Sequence, residues 1–157
     1  MEGPRRAEAL DGAPAWFGEP SFGQRLLAMV VDVLLLLVFA FLLVQVPIGL
    51  GVQRSIMTVA AAAYIVLSTV LTGRTVGKRV VGLRIVDVAT GRLPDLRAAV
   101  LRWAVPALPL FVGWVSPTVA SYVSWFSFAV FVPILKGPQH RGIHDLVAGT
   151  IVTRVVD

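Results

Sequence analysis

The sequence predicts an all-α membrane protein, a small helical bundle of about four transmembrane segments with a short cytoplasmic β pairing. Three observations predict this class: 57% of the 157 residues are hydrophobic, only 15% are charged, and the mean hydropathy is +0.82. A soluble domain of this length carries more charge. At about 20 residues per crossing, the chain has room for three or four spans and for no second domain.

Residues 1–22 form the first predicted unit, a flexible cytoplasmic tail, because they contain many Pro and Gly residues and show no helical periodicity. Residues 23–157 form the second unit, the membrane domain. Its first span covers about 26–46, an apolar run that matches the hydrocarbon core in length and ends before Pro47. The second span, about 56–72, is rich in Ala, Ser and Thr, small residues that favour close helix packing.

The loop after the second span is predicted to be aqueous and to contain a β-strand. Residues 73–97 include six of the fourteen basic residues and cannot lie in hydrocarbon. Within the loop, "VVGLRIVDV" is β-branched and partly alternating, and the turn "ATGR" follows it. We expect this strand to pair with "GTIVTRVV" at 149–156, which would join the loop to the end of the chain.

Two shorter apolar stretches, 98–115 and 118–135, are separated by the turn "GWVSPT" and interrupted by prolines. Either both cross the membrane, or together they form a re-entrant hairpin; both arrangements return the chain to the same side. If the N-terminus, the 73–97 loop and the C-terminal segment are cytoplasmic, Arg54 is the only Lys or Arg outside. This orientation satisfies the positive-inside rule.

A carboxylate inside the first span raises the main functional question. Asp32 lies two helical turns after Arg25, on the same face of the helix. An ionised carboxylate near the bilayer centre costs roughly 2.5–3.5 kcal/mol on insertion scales, and a cation on another helix lowers that cost. Arg102 is the candidate partner. The pair either locks helix packing or forms a proton or cation site, and the sequence leaves both interpretations open.

Four polar residues lie together before the last predicted strand: His140, Arg141, His144 and Asp145. The two histidines have helical spacing, but Gly and Pro interrupt a helix there and no acidic third ligand falls on the same face. We expect instead that Asp145 caps the following turn and pairs with a loop cation such as Arg79 or Arg84. Neither a metal site nor a catalytic triad is predicted.

The cations of the loop form a predicted cytoplasmic basic surface that should attract anionic lipid headgroups. Its members are Arg74, Lys78, Arg79 and Arg84. Because basic residues flank the membrane spans, we expect no nucleic-acid binding. The chain has no cysteine and shows no paired carboxylates or nucleophile with a base, so we expect a non-enzymatic protein without catalytic residues, cofactor or metal.

Four motifs occur in an order that resembles the RDD family of bacterial integral membrane proteins. They are Arg25, Asp32, "T-x-G-K-x-x-x-G-L-R-I-V-D" at 75–87, and "H-R-G-I-H-D-L-V-A-G-T-I-V" at 140–152. The resemblance covers roughly residues 21–156. It implies that Arg25 and Asp32 are the name-giving arginine and first aspartate of the family, and that Asp145 is the second aspartate.

We expect a multi-pass protein of the bacterial cytoplasmic membrane, with both termini cytoplasmic as the positive-inside rule indicates. The resemblance implies a family that is suspected of transport and includes a monovalent cation/proton antiporter. Two functions are expected: an oligomeric transporter of small cations or protons, or a non-catalytic accessory subunit of a larger membrane protein complex. Apolar and aromatic faces such as 122–131 would serve docking. Expected partners are the lipid bilayer and other membrane subunits or further copies of the chain. In either case the ion or structural site comprises Arg25, Asp32, Arg102 and Asp145.

Overall fold

Two long apolar helices begin the described part of the chain. In this computed structural model the described residues are 18–116, 118–119, 125 and 141–154. Helix α1 (Phe22–Val44) and helix α2 (Leu50–Thr72) each contain 23 residues, about 34 Å of helix, enough for a hydrocarbon core of roughly 30 Å. Within the described ranges, these two helices are long and apolar enough to cross a membrane.

Both helices begin earlier than the sequence analysis predicted. Helix α1 starts at Phe22 because Ser21 and Gln24 form a capping box. The Gln24 N–H donates to Ser21 Oγ at 3.2 Å, and the Ser21 N–H donates to Gln24 Oε1 at 3.1 Å. Helix α2 starts at Leu50, so Arg54 lies inside the helix, and it ends at Gly73, whose φ of +68° favours glycine.

A short helix and a two-stranded sheet follow the long helices. Helix α3 (Val76–Val80) leads into strand β1 (Leu83–Asp87), which pairs antiparallel with strand β2 (Thr150–Arg154). Leu83 lies opposite Arg154 in this pairing. The predicted short strand pairing is therefore confirmed, and it joins the loop after α2 to the far end of the described chain.

The buried apolar core lies where the start of α1 meets the sheet. Ala28 of α1 packs with Leu83 and Ile85 of β1 and with Val152 of β2, and all four side chains are buried. The long helices contribute less: α1 packs mainly on α3, and α2 packs mainly on helix α4 (Leu96–Val115), which follows β1. The sheet thus anchors α1 at its first turns.

Helix α4 (Leu96–Val115) corresponds to the third predicted span, 98–115. Asp95 caps it, since Oδ1 of Asp95 accepts a backbone N–H of the first turn at 2.7 Å. Helix α4 is not among the candidate membrane spans. Helix α5 (Ile143–Ala148) packs against α4. Most of the predicted fourth span, 118–135, lies outside the described residues, so four crossings stay a prediction.

The end of the predicted N-terminal tail is held against β2. The Gly18 N–H donates to Thr153 Oγ1 at 3.0 Å, and the Arg154 N–H donates to the Gly18 carbonyl at 2.8 Å. Pro20 is fully buried. Residues 1–17 of the predicted tail lie outside the described residues.

Gly77 sets how closely α3 approaches α1. A Cβ atom built on Gly77 would lie 2.0 Å from the Ala28 carbonyl oxygen and 2.9 Å from Asp32 Cγ. This close approach allows the Gly77 N–H to donate to Asp32 Oδ1 at 2.8 Å. Glycine is therefore required at this position because of the space available.

The substitution Gly77→Ala should lower the free energy of unfolding by about 3 kcal/mol or more. The methyl group forces α3 away from α1, which costs about 1–3 kcal/mol as overpacking, and the lost hydrogen bond to a charged acceptor adds about 1.5–3 kcal/mol. Thermal unfolding in detergent, followed by tryptophan fluorescence, measures the loss. Gly51→Ala is the control, because a Cβ at Gly51 in α2 meets nothing within 4 Å. Equal melting temperatures for the two variants would contradict the prediction.

Candidate functional site

Asp32 of α1 is held by donors from α2 and from the segment that follows it. Its carboxylate accepts hydrogen bonds from the Tyr64 hydroxyl at 2.6 Å, the Thr75 hydroxyl at 2.5 Å and the Gly77 N–H at 2.8 Å. Hydrogen bonds to an ionised acceptor are stronger than neutral ones. The Tyr64 hydroxyl in turn accepts from the Val76 N–H at 2.9 Å. Asp32 therefore joins α1 to both α2 and α3.

The spacing of the T-x-G-K motif follows from this geometry. Thr75 is the N-cap of α3, where its hydroxyl accepts the Lys78 N–H at 3.4 Å while donating to Asp32. Two residues later, Gly77 brings its backbone N–H to the same carboxylate. One turn of α3 thus supplies a side-chain donor and a backbone donor to Asp32.

The predicted pair between Asp32 and Arg102 is wrong. Arg102 forms an ion pair with Asp145 of α5, and its Nη1 donates to Thr150 Oγ1 at 2.9 Å. The side chains of Arg102 and Asp145 are 8% and 1% exposed. The physical reason is packing: α4, which carries Arg102, lies against α5, while donors from other elements already occupy the oxygens of Asp32.

Asp145 combines this ion pair with a capping role. Its Oδ2 accepts the Gly142 N–H at 3.2 Å, and its Oδ1 accepts the Thr150 hydroxyl at 3.3 Å. Asp145 therefore caps the N-terminus of its own helix, α5. The predicted pairing of Asp145 with Arg79 or Arg84 is wrong, because the cation beside this carboxylate comes from α4.

One cavity is lined by all four residues of the predicted ion or structural site. The cavity has a volume of about 470 Å³, and Lys78 and His144 also line it. The four predicted residues are Arg25, Asp32, Arg102 and Asp145. Arg25 also connects α1 to β2, since its Nη2 donates to the Val152 carbonyl at 3.5 Å. The structure thus brings the four side chains together around a shared space, with Asp32 and Arg102 in separate polar clusters.

Most of the remaining cavity lining is apolar. It comes from one face of α1, from α2 and from α4, and includes Leu26, Met29, Val33, Leu36, Ile65 and Trp103. Along α1 the charged lining residues are Arg25 and Asp32, with Leu26 and Met29 between them, and the lining beyond Asp32 is apolar. The cavity therefore has a charged end, which also contains apolar side chains, and an apolar end beyond Asp32.

The predicted basic surface divides into two parts. Lys78 lines the cavity, whereas Arg79 on the same helix is exposed. Arg74 and Arg84 are partly exposed. Lys78 thus lines the cavity, whereas the other three cations of the predicted surface do not.

Lys78 occupies an unusual place for an ammonium group. Its Nζ donates to Thr75 Oγ1 at 3.4 Å, and within the described residues no carboxylate forms an ion pair with it. Burial and the nearby Arg102 guanidinium lower the pKa of Lys78 to about 8, although Asp32 acts in the opposite direction. Lys78 as a whole residue is partly exposed and lines the cavity.

His144 is buried next to Asp145, with Nε2 at 3.4 Å from Oδ2. Burial, and after it the positive charges of Arg102 and Lys78, hold the pKa of His144 far below its usual range. The imidazole is therefore neutral at pH 7. In the described part of the chain, no three His, Asp or Glu side chains are placed to hold a metal ion, and His140 lies outside that part.

The sequence analysis missed Tyr64 and Thr150, which complete the two polar clusters. A phenol within an apolar, Ala-rich span was the available signal for Tyr64, because a buried tyrosine hydroxyl needs a partner. Thr75 and Gly77 entered only as letters of a motif, and their role as donors to Asp32 required the fold.

Breaking the Arg102–Asp145 pair should destabilise the protein strongly. Asp145→Asn and Arg102→Met should each cost about 3–5 kcal/mol, because either one leaves a buried charge without its counter-ion. The double variant should lose less than the sum of the single losses, as measured by unfolding in detergent. Arg97→Met, which removes an exposed cation from the same helix, should change stability by less than about 0.5 kcal/mol. Strictly additive losses would contradict this coupling.

Lys78 should titrate near pH 8 in the folded protein. Lys78 and Lys136 are the two lysines of the chain, so ¹³C-dimethylation gives two side-chain NMR signals, which Lys78→Arg assigns. Because the folded pKa of about 8 lies below the ordinary 10.5, the unfolded state binds more protons in this window. Stability should therefore rise with pH between these values, and the penalty is fully present below pH 8. A titration midpoint near 10.5 would contradict the prediction.

Comparison with known proteins agrees with the motifs of the sequence. A family model described as the RDD family matches residues 19–149. No curated protein and no solved structure matches the chain. The matched residues include Asp32 with its donors and the Arg102–Asp145 pair. Because the match covers most of the chain, including both long apolar helices, this protein belongs to the RDD family.

Proposed function

We propose that this RDD protein is a non-enzymatic, multi-pass module of the cytoplasmic membrane that acts as an accessory subunit of a larger membrane protein complex. The observation that carries the proposal is that both carboxylates of the cavity are engaged by the chain itself. Asp32 accepts from three donors, and Asp145 pairs with Arg102. Carboxylates used in this way hold helices together.

The chemistry around Asp32 disfavours a cation site. A bound metal cation requires oxygen lone pairs, but Tyr64 and Thr75 direct their hydrogens toward the carboxylate. An entering cation would have to displace these donors. It would also meet the positive charge of Lys78, which lines the same cavity.

The uncovered apolar surface supports an accessory role. Only 6% of the most apolar window of each candidate span is buried within the chain. On α1, Phe41 and Val44 are each 66% exposed, and on α2, Leu71 is 69% exposed. Such surface contacts lipid or the helices of other subunits. The proposed partners are therefore the bilayer and other membrane protein subunits or further copies of the chain, and nucleic acid is not proposed as a partner. The aromatic face at 122–131 lies outside the described residues.

The pairing of β1 with β2 supports the proposed topology. It requires the loop after α2 and the segment at 150–154 to lie on one side of the membrane. The loop carries Lys and Arg residues, while Arg54 lies near the opposite end of α2. We propose the cytoplasm for the basic side, in accord with the positive-inside rule.

Transport of small cations or protons by an oligomer is the second candidate function. The position of Asp32 favours it: the carboxylate lies within a candidate span and lines a cavity. Ionisable groups within membrane spans commonly mark ion or proton pathways. In this alternative, protonation of Asp32 would release one of its donors, such as Tyr64.

Proton flux through the purified chain and the mass of the complex extracted from native membranes together test the two functions. The purified chain in proteoliposomes should move no more protons under a Na⁺ or K⁺ gradient than empty liposomes do. Extracted gently from native membranes, it should elute in a stoichiometric complex with a larger protein, which mass spectrometry identifies.

Cation-dependent proton flux that Asp32→Asn abolishes would overturn the accessory proposal in favour of transport. Tyr64→Phe is the matched control, because it removes one donor to Asp32 and keeps the carboxylate. A homo-oligomer without any other protein in the native extract would also count against the accessory role.

A further inference from the structure

We propose that the cavity between α1, α3 and α4 holds one anionic phospholipid, with its phosphate at Lys78 and an acyl chain along the apolar face of α1. The inference goes beyond the accessory role and does not depend on it. Three observations carry it: a cation in the lining that the chain leaves poorly satisfied, an apolar face of α1 in the same cavity, and the charge of the lining.

The charged end presents a cation that the chain leaves poorly satisfied. The ammonium of Lys78 has three hydrogens to donate, and its hydrogen bond to the neutral Thr75 hydroxyl is long, at 3.4 Å. Within the described residues, its nitrogen has no carboxylate at ion-pair distance. A phosphate oxygen at Lys78 would supply both the missing charge and the missing acceptor.

The charge of the lining does not oppose an anionic ligand. Three cations (Arg25, Lys78 and Arg102) and two carboxylates (Asp32 and Asp145) line the cavity. Glu19, which lies outside the lining, also acts on Arg25. His144 lines the cavity and is neutral. The lining therefore has no net negative charge that would repel a phosphate at Lys78.

The apolar face of α1 in the cavity forms a channel wall that a hydrocarbon chain could cover. Leu26, Met29, Val33 and Leu36 recur at helical spacing on one face of α1 and line the cavity together. From Arg25 to Leu36 this face extends about 16 Å along the helix axis. Inorganic phosphate would leave this end unfilled, whereas an acyl chain would cover the apolar side chains.

Native mass spectrometry of the full chain, released from phosphatidylcholine nanodiscs containing phosphatidylglycerol, tests the proposal. Wild-type protein should retain one phosphatidylglycerol and no phosphatidylcholine. Lys78→Met should lower the affinity for phosphatidylglycerol at least tenfold. Arg79→Met is the matched control, because it removes an exposed cation from the same short helix, and it should change the affinity less than twofold.

A second variant tests the apolar end without changing charge. Val33→Trp should fill the channel and lower phosphatidylglycerol affinity at least tenfold, and millimolar inorganic phosphate should not displace the lipid. Equal losses for Lys78→Met and Arg79→Met would overturn the proposal in favour of general surface attraction. Displacement by inorganic phosphate together with full retention in Val33→Trp would overturn it in favour of a free-phosphate site.

A measurement on the wild-type chain guards against variants that do not fold. The ¹³C-dimethyl signal of Lys78 should titrate at least half a pH unit higher in nanodiscs with phosphatidylglycerol than in phosphatidylcholine alone, because a phosphate at Lys78 stabilises the charged amine. Identical titration curves in the two lipids would overturn the proposal.

Discussion

The described fold depends on one carboxylate within an apolar helix. Asp32 lies on a helix apolar enough to span a membrane, so its hydrogen bonds have to come from the chain. The chain meets this need by folding the segment after α2 back onto α1, where Thr75 and Gly77 reach the carboxylate. The direction of β1, and hence the place at which β2 pairs, follows from that return.

The second polar cluster repeats the same principle with the charges reversed. Arg102 is a buried cation on α4, and it is neutralised by Asp145 and hydrogen-bonded by Thr150, which lie more than forty residues away in sequence. Asp32 and Arg102 are thus each satisfied by a distant segment. Lys78 lies between the two clusters. It directly follows Gly77, whose N–H donates to Asp32, and the Arg102 guanidinium lowers the pKa of Lys78. The clusters therefore act on each other through space without sharing a hydrogen bond.

Sequence reasoning predicted the parts of this fold that depend on local pattern. The two apolar helices follow from run length, and the strand pairing of the loop with 150–154 follows from β-branched alternation bounded by turns. The four site residues were also predicted as a group, and they line one cavity.

The partners within that site could not be predicted from sequence. Asp32 was paired with Arg102 because both were expected at a similar depth in the membrane. That pairing assumes that only a cation can satisfy a carboxylate, whereas two neutral hydroxyls and a backbone N–H satisfy Asp32. The choice of Asp145 for Arg102 depends on the packing of α4 against α5, which is a tertiary property. The role of Gly77 is likewise visible only once Ala28 lies against it.

The pairing of Arg102 with Asp145 has a consequence for biosynthesis. A ribosome completes α4 well before it reaches α5, so the guanidinium emerges while its counter-ion does not yet exist. An arginine without a partner resists entry into hydrocarbon. We therefore expect α4 to take its place against α2 only when α5 and β2 have been translated. Elements made late then control when a helix made much earlier settles in the fold.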